Sequence, residues 1–401
     1  MRILIISDIS PYPPVSGDRI REYNLLRRMA DRHEVWLATF LENPSDELGT
    51  HHLASFCAGV EFVHTQHRHP ILHIPGLLLY GLTGKPLELY FRYSAQLVKK
   101  IELLASTIDF DLVLIINSHT ALYLEVLPPT LQRKSILVFE NIEFAQYESI
   151  YRIEHKLVSK FRSWLNYRMM RHWEPLYANH FKSCITVSEM DRRILLDANP
   201  TLRIDVIPNG VDTHLYRALP ANQDTAHLLF IGKMSYPPCS DAALYFCREI
   251  FPLIRERGRN AELWIVGREP PQEVMNLEGD GVHVTGWVED VIPYYERSSV
   301  CVVPLRAGGG TRLKILEAMS LGRPVVSSSI GCGGLDVTDG EDILIADTPA
   351  EFAEKTSRLL DDLKLRQSIS IKARQLVENQ YDWDILANRL MDILAEVTGC
   401  T

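Results

Sequence analysis

Short apolar runs alternate with helix-period segments along most of this 401-residue chain. The first series of apolar runs comprises Ile3–Ser7, Val35–Phe40, Leu112–Ile116 and Ile136–Phe139. Helical stretches such as Arg19–Ala30 and Leu87–Leu104 lie between them. Continuously apolar strands that alternate with amphipathic helices are typical of a parallel sheet covered by helices on both faces. The first part of the chain is therefore predicted to be a doubly wound α/β domain.

The same pattern restarts in the second half of the chain. Its predicted strands are Leu228–Gly232, Leu263–Gly267, Val282–Val284, Val300–Val303 and Pro324–Val326. The intervening residues 208–226 are rich in Pro, Asn, Gly and Asp and show little periodicity, so we interpret them as a linker. We expect an N-terminal domain over residues 1–206, a C-terminal domain over 207–380, and a last helix in 381–401 that packs back on the N-terminal domain. Two such Rossmann-like domains facing each other would form a cleft at the carboxyl ends of their strands.

The overall composition excludes several classes of protein. The net charge of −9 and the pI of about 5.9 argue against a protein whose main partner is nucleic acid. The seven cysteines are odd in number and form no CxxC pair, which indicates free thiols in a reducing cytosol rather than disulfides or a metal site. No apolar stretch reaches the roughly 18 residues that a membrane span requires. We therefore expect a cytoplasmic protein, with contact at a membrane surface left open.

The segment Pro304–Met319 carries the strongest functional signal. It follows a predicted strand, passes through Gly308–Gly310 and opens a predicted helix. Glycines let backbone amides approach a ligand closely, and Thr311 is a favourable N-cap residue. Backbone amides at a helix N-terminus form a site for anions. This order of residues predicts a phosphate-binding loop.

The charges in this segment support the same interpretation. Arg312 and Lys314 are predicted in the first helical turn, where the helix dipole disfavours cations. A bound diphosphate would resolve that conflict. Glu317 lies three residues after Lys314 on a similar face, where its carboxylate is placed to accept hydrogen bonds from ribose hydroxyls. The alternative is an ordinary surface helix of mixed charge.

This string resembles the donor-site segment of the large group of enzymes called glycosyltransferase family 4. Further stretches that fit the family, in the family's order, are Pro11–Asp18, Thr186–Glu189, Pro208–Asp212, Gly286–Asp290, Pro324–Ser327 and Tyr381–Trp383. The resemblance spans nearly the whole chain and is strongest from Ile207 to Trp383. It implies a GT-B fold, a UDP- or GDP-linked sugar donor, transfer with retention of anomeric configuration, no cofactor and no metal in the site.

The resemblance also implies roles for individual residues. His119 fits a family histidine that hydrogen-bonds the donor sugar, although a polar residue that starts a helix is an alternative. Lys233 resembles the family's other phosphate-binding cation, so the catalytic candidates are His119, Lys233 and Lys314. The expected donor-binding residues are Gly17, Lys233, Val288, Gly309, Gly310, Thr311, Arg312, Lys314 and Glu317. For Gly17, a simple tight-turn role remains the alternative.

The sequence departs from the family pattern at two places. The family carries two glutamates seven residues apart, and Gly309 occupies the position of the first. The backbone amides of Gly309 and Gly310 are then expected to contact the donor sugar. The second cation that usually follows Lys233 is also missing, so Arg312 and Lys314 are expected to carry more of the diphosphate charge.

The acceptor side is less defined. Glu140 and Asn141 end a predicted strand and are candidates for acceptor contact, with Glu140 as a weak candidate for a base. The acceptor is expected to be a glycan, a lipid-linked molecule or a small molecule. Residues 151–182 are basic and aromatic, which fits either a solvated face with its aromatics packed on the domain or a surface that docks on anionic lipid. A nucleotide-sugar epimerase and a non-catalytic nucleotide-sugar-binding subunit remain alternative functions.

Overall fold

The computed structural model describes residues 1–42, 44–65, 84–154, 156–220, 226–257, 260–308 and 311–399. The chain divides into two compact units. The first comprises Met1–Tyr151, His155–Pro208 and Trp383–Thr401, and the second comprises Arg152–Glu154 and Asn209–Asp382. Each unit has its own sheet and its own buried apolar core.

The sheet of the first unit is parallel throughout and has seven strands among the described residues. Its strands are β1 (Arg2–Ile6), β2 (Glu34–Leu41), β3 (Gly59–His64), β4 (Leu112–Ile116), β5 (Ser135–Phe139), β6 (Ser183–Thr186) and β7 (Ile204–Val206). They lie in the order β3-β2-β1-β4-β5-β6-β7. The predicted parallel sheet is therefore confirmed. The sequence pattern missed β3, β6 and β7. The edge strands β3 and β7 are only partly buried, and β6 is a buried strand of four residues, SCIT, with only two apolar side chains.

Helices connect these strands. They are α1 (Gly17–Ala30), α2 (Pro44–Ala54), α3 (Leu87–Arg92), α4 (Ala95–Thr107), α5 (Pro129–Gln132), α6 (Glu143–Ile153), α7 (Leu157–Tyr177) and α8 (Glu189–Ala198), with 3-10 helices at Ser118–Val126 and Ala178–His180. The prediction of one helix over Leu87–Leu104 is wrong. Ser94 adopts an extended conformation, its hydroxyl accepts the Leu97 N–H at 3.4 Å, and a new helix begins after it.

The second unit repeats the architecture with a parallel sheet of six strands among the described residues. Its strands are β8 (His227–Ile231), β9 (Glu262–Val266), β10 (Val282–Gly286), β11 (Val300–Val303), β12 (Val325–Ser327) and β13 (Leu344–Ile345), in the order β10-β9-β8-β11-β12-β13. Its helices are α9 (Pro237–Tyr245), α10 (Phe251–Glu256), α11 (Gln272–Met275), α12 (Ile292–Arg297), α13 (Leu313–Ser320), α14 (Pro349–Asp361) and α15 (Leu363–Gln380), with a π-helical turn at Phe246–Ile250. The predicted second α/β domain is thus confirmed.

The last helix, α16 (Trp383–Thr398), belongs to the first unit. Its apolar side chains recur every three or four residues, and the first of them, Trp383, is 1% exposed. The Arg28 Nε atom lies 2.5 Å from Asp384 Oδ1, and Arg389 donates to the Val206 carbonyl at 3.2 Å. Burial of this apolar stripe, with polar contacts at its margin, holds the C-terminal residues on the first unit.

Each sheet has a topological switch point that fixes where a ligand can bind. In the first unit β1 lies beside β4, and in the second β8 lies beside β11. The loops that leave such neighbouring strands run to opposite sides of the sheet and open a crevice at the carboxyl ends. The residues that directly follow β1, β4, β8 and β11 therefore lie where a ligand is expected to bind.

Two further features concern the helices and the cysteines within the described residues. No helix within the described residues is both long enough and apolar enough to cross a bilayer. The cysteines that the structure describes are free thiols, and most of them are buried. One of them, Cys239, contacts Lys314.

Candidate functional site

The loops after β8 and β9 form the floor of the candidate site in the second unit. The Gly232 N–H donates to the Val266 carbonyl at 3.0 Å, and the Gly267 N–H donates to the Gly286 carbonyl at 3.0 Å. Gly267 has a φ of 151°, and a Cβ atom there would lie 1.7 Å from the Gly232 carbonyl oxygen. Only glycine allows the two backbones to approach so closely.

Lys314 lies directly above this floor. Its Nζ atom is 4.8 Å from the centroid of the Phe230 ring and 3.6 Å from Cys239 Sγ. A Cβ atom on Gly232 would lie 2.8 Å from the same Nζ, so the glycine leaves the space that the ammonium fills. Within the described residues Lys314 forms no ion pair with a carboxylate. A half-buried cation in that situation favours an anionic ligand.

The start of helix α13 differs from the prediction. Arg312, not Thr311, is the N-cap residue, with φ −92° and ψ 102°, and its side chain makes no capping hydrogen bond. The Thr311 hydroxyl instead accepts the Asn209 N–H at 3.0 Å, and the Asn209 amide donates to the Thr311 carbonyl at 3.0 Å. This pair of hydrogen bonds attaches the loop before α13 to Asn209. A threonine hydroxyl can accept a hydrogen bond from a distant backbone N–H instead of capping its own helix. Arg312 therefore precedes the first turn, and Lys314 lies within it.

Glu317 lies one turn after Lys314 and is held by a buried tyrosine. The Tyr295 hydroxyl lies 3.2 Å from Glu317 Oε2 and 3.3 Å from the Lys314 carbonyl oxygen. Burial raises the pKa of the Glu317 carboxyl, although Tyr295 and Lys314 oppose the shift. Tyr295 is 1% exposed, so it fixes Glu317 from inside the domain. Lys314 and Glu317 lie on one helix, as predicted, and both side chains are half-buried.

Lys233 is an exposed cation in the loop after β8. Its Nζ atom lies 3.6 Å from Glu269 Oε2, and the Ser235 hydroxyl donates to that carboxylate at 2.6 Å. The Ser235 hydrogen bond and the Lys233 charge lower the pKa of Glu269. Because an exposed ion pair contributes little free energy, Lys233 can exchange Glu269 for a ligand at small cost.

The remaining predicted donor-binding residues of the second unit are Val288 and the glycines before α13. Val288 packs partly buried against the core of the second unit, while its neighbour Trp287 is exposed. Gly308 has a φ of 110°, and a Cβ atom there would lie 2.6 Å from Arg312 Nη2. The following residues, Gly309 and Gly310, lie outside the described residues.

The first unit gathers a second set of predicted residues where β1 and β4 end. His119 Nδ1 lies 3.8 Å from Asp8 Oδ2, and His119 Nε2 lies 3.9 Å from Glu143 Oε2. Burial lowers the pKa of this histidine, but the surrounding carboxylates, led by Glu143 and Asp8, outweigh it and raise the pKa. The imidazole therefore lies between two carboxylates in a largely buried position.

Glu140 lies deeper in the same region. The Asn117 amide nitrogen is 3.3 Å from both Asp8 Oδ1 and Glu140 Oε2, and the Asn117 side-chain oxygen accepts the Glu140 N–H at 3.1 Å. Asn117 holds a φ of 67°, a conformation that costs free energy for a residue other than glycine and that its hydrogen bonds offset. Burial raises the pKa of Glu140, against the charge of Arg21, whose Nε lies 3.8 Å away. Asn141 follows it half-buried.

Gly17 is the first residue of α1 rather than part of the preceding turn. Ser16 precedes it as the N-cap residue, in extended conformation. One helical turn of α1 is anchored by Arg19, whose guanidinium nitrogens lie 2.8 and 3.2 Å from the carboxylate oxygens of Asp46. This buried bidentate pair fixes the entry of α1, and with it the position of Gly17 beside the switch point.

Sequence reasoning missed three residues of these two sets. Asp8 directly follows a predicted strand, and a polar residue at the carboxyl end of a buried strand was the signal that would have found it. Tyr295 and Glu143 gave no such signal, because each lies on a helix distant in sequence from the residues that it contacts. Only the tertiary structure brings them to Glu317 and His119.

Comparison with known families agrees with this architecture. The family model described as "Glycosyltransferase Family 4" matches residues 21–215, and the model described as "Glycosyl transferases group 1" matches residues 225–362. The two matches follow the order of the two units and together leave only short segments uncovered.

Two curated relatives illustrate the range of sequence similarity. An uncharacterized 44.6 kDa protein in the cps region of Klebsiella pneumoniae is 21% identical over 95% of this chain and 96% of its own length. A phosphatidyl-myo-inositol mannosyltransferase of Mycobacterium leprae is 25% identical over 53% of this chain and 59% of its own length. The second similarity therefore covers little more than half of either protein.

Solved structures share the whole fold. Sucrose-phosphate synthase from Thermosynechococcus elongatus superposes with a TM-score of 0.73 at 15% identity, covering 100% of both chains. The Anabaena protein HepE in complex with UDP-glucose superposes with a TM-score of 0.68 at 17% identity, covering 99% of this chain and 100% of the other. With the two family matches in the same order as the two parallel sheets, the chain belongs to the group 1, family 4 glycosyltransferases of the GT-B fold.

Proposed function

We propose that this protein is a metal-independent, retaining glycosyltransferase that moves a sugar from a UDP- or GDP-linked donor to a glycan, lipid-linked or small-molecule acceptor. Synthesis of a surface polysaccharide or another glycoconjugate is the process that this assignment fits. The proposed location is the cytoplasm, with contact at the inner face of the membrane. The observation that carries the proposal is the half-buried ammonium of Lys314, which has no carboxylate ion pair among the described residues and lies at the switch point of the second sheet.

The donor's diphosphate is the ligand that best fits this environment. Lys314 approaches the site from α13, and Lys233 approaches it from the loop after β8. Two cations on separate elements suit a group with two or more negative charges, and the uncapped start of α13 adds the positive end of a helix dipole. The Glu317 carboxylate, one turn further, would accept hydrogen bonds from the ribose.

The same groups supply the chemistry that transfer requires. The bond between the sugar's anomeric carbon and the diphosphate oxygen breaks, and a bond to the acceptor oxygen forms on the same face of the sugar. Negative charge grows on the leaving diphosphate, and Lys314 and Lys233 would stabilise it, the task that a divalent cation performs in other enzymes. The leaving phosphate oxygen takes the acceptor's proton, so this route needs no protein nucleophile and no strong base.

Two of the similar proteins bear on the donor and acceptor by their names. One is a phosphatidyl-myo-inositol mannosyltransferase, and another is HepE, which binds UDP-glucose. Both fit a nucleotide-linked hexose as the donor class.

The proposal is tested first by nucleotide binding. Purified protein is titrated with UDP, GDP, ADP and TDP in a chelating buffer, and its thermal midpoint is followed. A ligand that binds only the folded state raises that midpoint, and saturation at 100 times Kd stabilises by about 2.7 kcal/mol. We expect one nucleotide to give a selective rise. No rise with any nucleotide, or a rise that requires divalent metal, would contradict the proposed site.

A second assay separates transfer from the two alternative functions. With the selected nucleotide's sugars as donors, a transferase releases nucleoside diphosphate in the presence of an acceptor extract. An epimerase converts one nucleotide sugar into another without release, and a binding subunit does neither. The buried His119 between two carboxylates favours a chemical role for the first unit over simple binding.

Glu317→Ala is expected to weaken nucleoside diphosphates about 10- to 100-fold, while inorganic diphosphate loses little. The reason is that a carboxylate holding two ribose hydroxyls contributes a charge-assisted hydrogen bond of about 1.5–3 kcal/mol. Isothermal titration with both ligands measures the difference, and Glu354→Ala, an exposed glutamate on α14, is the control. Equal losses for both ligands would remove the ribose role from Glu317.

His119→Ala is expected to slow sugar transfer about 10- to 100-fold while nucleotide binding stays unchanged. In the proposed role, His119 hydrogen-bonds the donor sugar and not the nucleotide, so only the reacting group loses a contact. Turnover at saturating donor and the Kd for nucleoside diphosphate are measured together, with the exposed His51→Ala as control. Wild-type turnover by the His119→Ala variant would contradict a contact between His119 and the donor sugar.

A further inference from the structure

Helix α7 presents an unusual row of side chains to solvent. Leu157, Phe161, Trp164, Arg168 and Arg171 follow one another at spacings of four and three residues, which places them on one face. Leu157 is 83% exposed, Phe161 63% and Trp164 39%, and both arginines are exposed as well. The rings of Phe161 and Trp164 lie 5.7 Å apart, so they form one continuous apolar surface.

The opposite face of the same helix is the one that packs on the first unit. Ser163, Met170 and Glu174 are buried there. Further along the helix, Trp173 stacks on Tyr177 with ring centroids 4.5 Å apart. The sequence-based expectation that the aromatics pack on the domain therefore holds for this end of the helix and fails for Phe161 and Trp164. Phe161 is largely exposed and Trp164 is 39% exposed, and exposed large apolar side chains cost free energy unless a partner covers them.

The charged side chains of the helix itself are of one sign over this face. Between Lys156 and Trp173 the sequence contains five cationic residues and no acidic residue, although the whole chain carries a net charge of −9. The five cations are Lys156, Lys160, Arg162, Arg168 and Arg171. The apolar side chains lie at the start of the helix, and the cations lie beside and after them. This arrangement complements a surface with an apolar interior and an anionic boundary.

A second copy of this chain does not meet that description. Two identical α7 faces related by symmetry would bring their cations together, since no acidic side chain lies on this stretch to pair with them. A lipid bilayer with anionic headgroups satisfies both halves of the surface. The apolar rings enter the headgroup boundary, and the lysines and arginines remain at the level of the phosphates.

We infer that the outward face of α7, from Leu157 to Arg171, docks the protein on an anionic membrane surface. The inference deepens the proposed function, on which it rests for its biological sense, because it selects an acceptor held at a membrane over one free in solution. It assigns Leu157, Phe161 and Trp164 as the inserted residues and the neighbouring cations as the headgroup contacts.

Vesicle sedimentation tests this directly. Full-length protein is mixed with vesicles of phosphatidylcholine alone or with 30% phosphatidylglycerol, at low and at high salt. We expect binding to the anionic vesicles that falls at least tenfold in 0.5 M salt, because screening weakens the headgroup contacts. Binding should also fall at least tenfold in the variant Phe161→Ser/Trp164→Ser. The matched control is Ile371→Ser on α15, an isoleucine 59% exposed, which should leave binding unchanged.

The outcomes separate the possible partners and the two proposals. Lack of binding to anionic vesicles by folded protein, or equal binding by the double variant, overturns the inference. A dimer in light scattering that the double variant converts to a monomer overturns it as well, in favour of a second copy. The nucleotide-induced rise in thermal midpoint is measured on the same preparations without lipid. Failure of the vesicle test with that rise intact therefore refutes only the membrane surface.

Discussion

Replacing Lys314 by alanine is expected to weaken nucleoside diphosphate binding about 10- to 100-fold and to reduce sugar transfer further. The lost contact is a charge-assisted one between an ammonium and a phosphate oxygen, worth about 1.5–3 kcal/mol in the ground state. Charge on the leaving diphosphate grows in the transition state, and removing one stabilising group there typically costs roughly 10²–10³ in kcat. Isothermal titration without divalent metal gives the first quantity, and donor-dependent turnover gives the second.

The control for this change is a lysine of the same domain that lies away from the crevice. Lys372 on α15 forms an exposed ion pair with Glu341 at 3.4 Å, so Lys372→Ala removes a charge of the same sign from the second unit. We expect near-normal binding from it. Lys314→Ala also removes the contacts of Lys314 with Cys239 and the Phe230 ring and its charge near Glu317, so we expect a small fall in the thermal midpoint of the ligand-free protein. Unchanged nucleotide affinity in a folded Lys314→Ala protein would refute the diphosphate site.

Gly267→Ala is expected to destabilise the second unit by about 3 kcal/mol or more, among the largest effects of a single added methyl group. The Cβ atom would lie 1.7 Å from the Gly232 carbonyl oxygen, so one of the loops after β8 and β9 must move. For a domain of this size the loss corresponds to a fall of roughly 6–12 °C in the thermal midpoint. Nucleotide binding should fall too, because Gly232 also shapes the space for Lys314.

A second glycine separates the clash from the backbone strain. Gly279 has a φ of 116°, and a Cβ atom there would meet nothing within 4 Å. Gly279→Ala therefore adds only the strain of an unfavourable backbone conformation, about 1–2 kcal/mol. The difference between the two variants measures the cost of the close approach of Gly232 and Gly267. Equal melting curves for both variants would show that the loop after β9 adapts and does not fix the floor of the site.

Both substitutions change the same small part of the second unit, yet we expect them to affect stability and nucleotide affinity differently. Lys314→Ala removes a charge and leaves the backbone of the site in place, so nucleotide affinity should change much more than stability. Gly267→Ala changes the surface itself, so stability changes first and affinity follows. Measured together, the two variants distinguish electrostatic recognition of the diphosphate from the geometry that holds the lysine in place.

The sequence predicted much of the donor site because that site is local. Arg312, Lys314 and Glu317 lie within six residues of one helix start, and their spacing alone places them near one another. Thr311 shows the limit of this reasoning. Its residue type favours an N-cap, but its hydroxyl binds the Asn209 N–H, a partner about one hundred residues away in sequence that no local rule identifies.

The first unit depended more on tertiary contacts. His119 and Glu140 were identified in the sequence as polar residues near the ends of strands, and Asp8 carries the same signal, whereas Glu143 is recognised only as a neighbour of His119. Burial raises the pKa of Glu140, whereas nearby carboxylates raise the pKa of His119 against the effect of its burial. Neither burial nor approach has a sequence signature, since both depend on which loops the sheet order brings together.

The sequence by itself determined the two parallel sheets, the glycine loop with its cationic helix, and the family to which these belong, because apolar periodicity and short-range spacing are encoded within single elements. Only the tertiary structure decided that Tyr295 holds Glu317, that the apolar side chains at the start of α7 point outward, and that Gly267 leaves room for the Gly232 carbonyl. Each of these depends on the distance between atoms that are far apart along the chain. Such distances are set when whole elements pack to bury their apolar faces, and not by the residues taken one segment at a time.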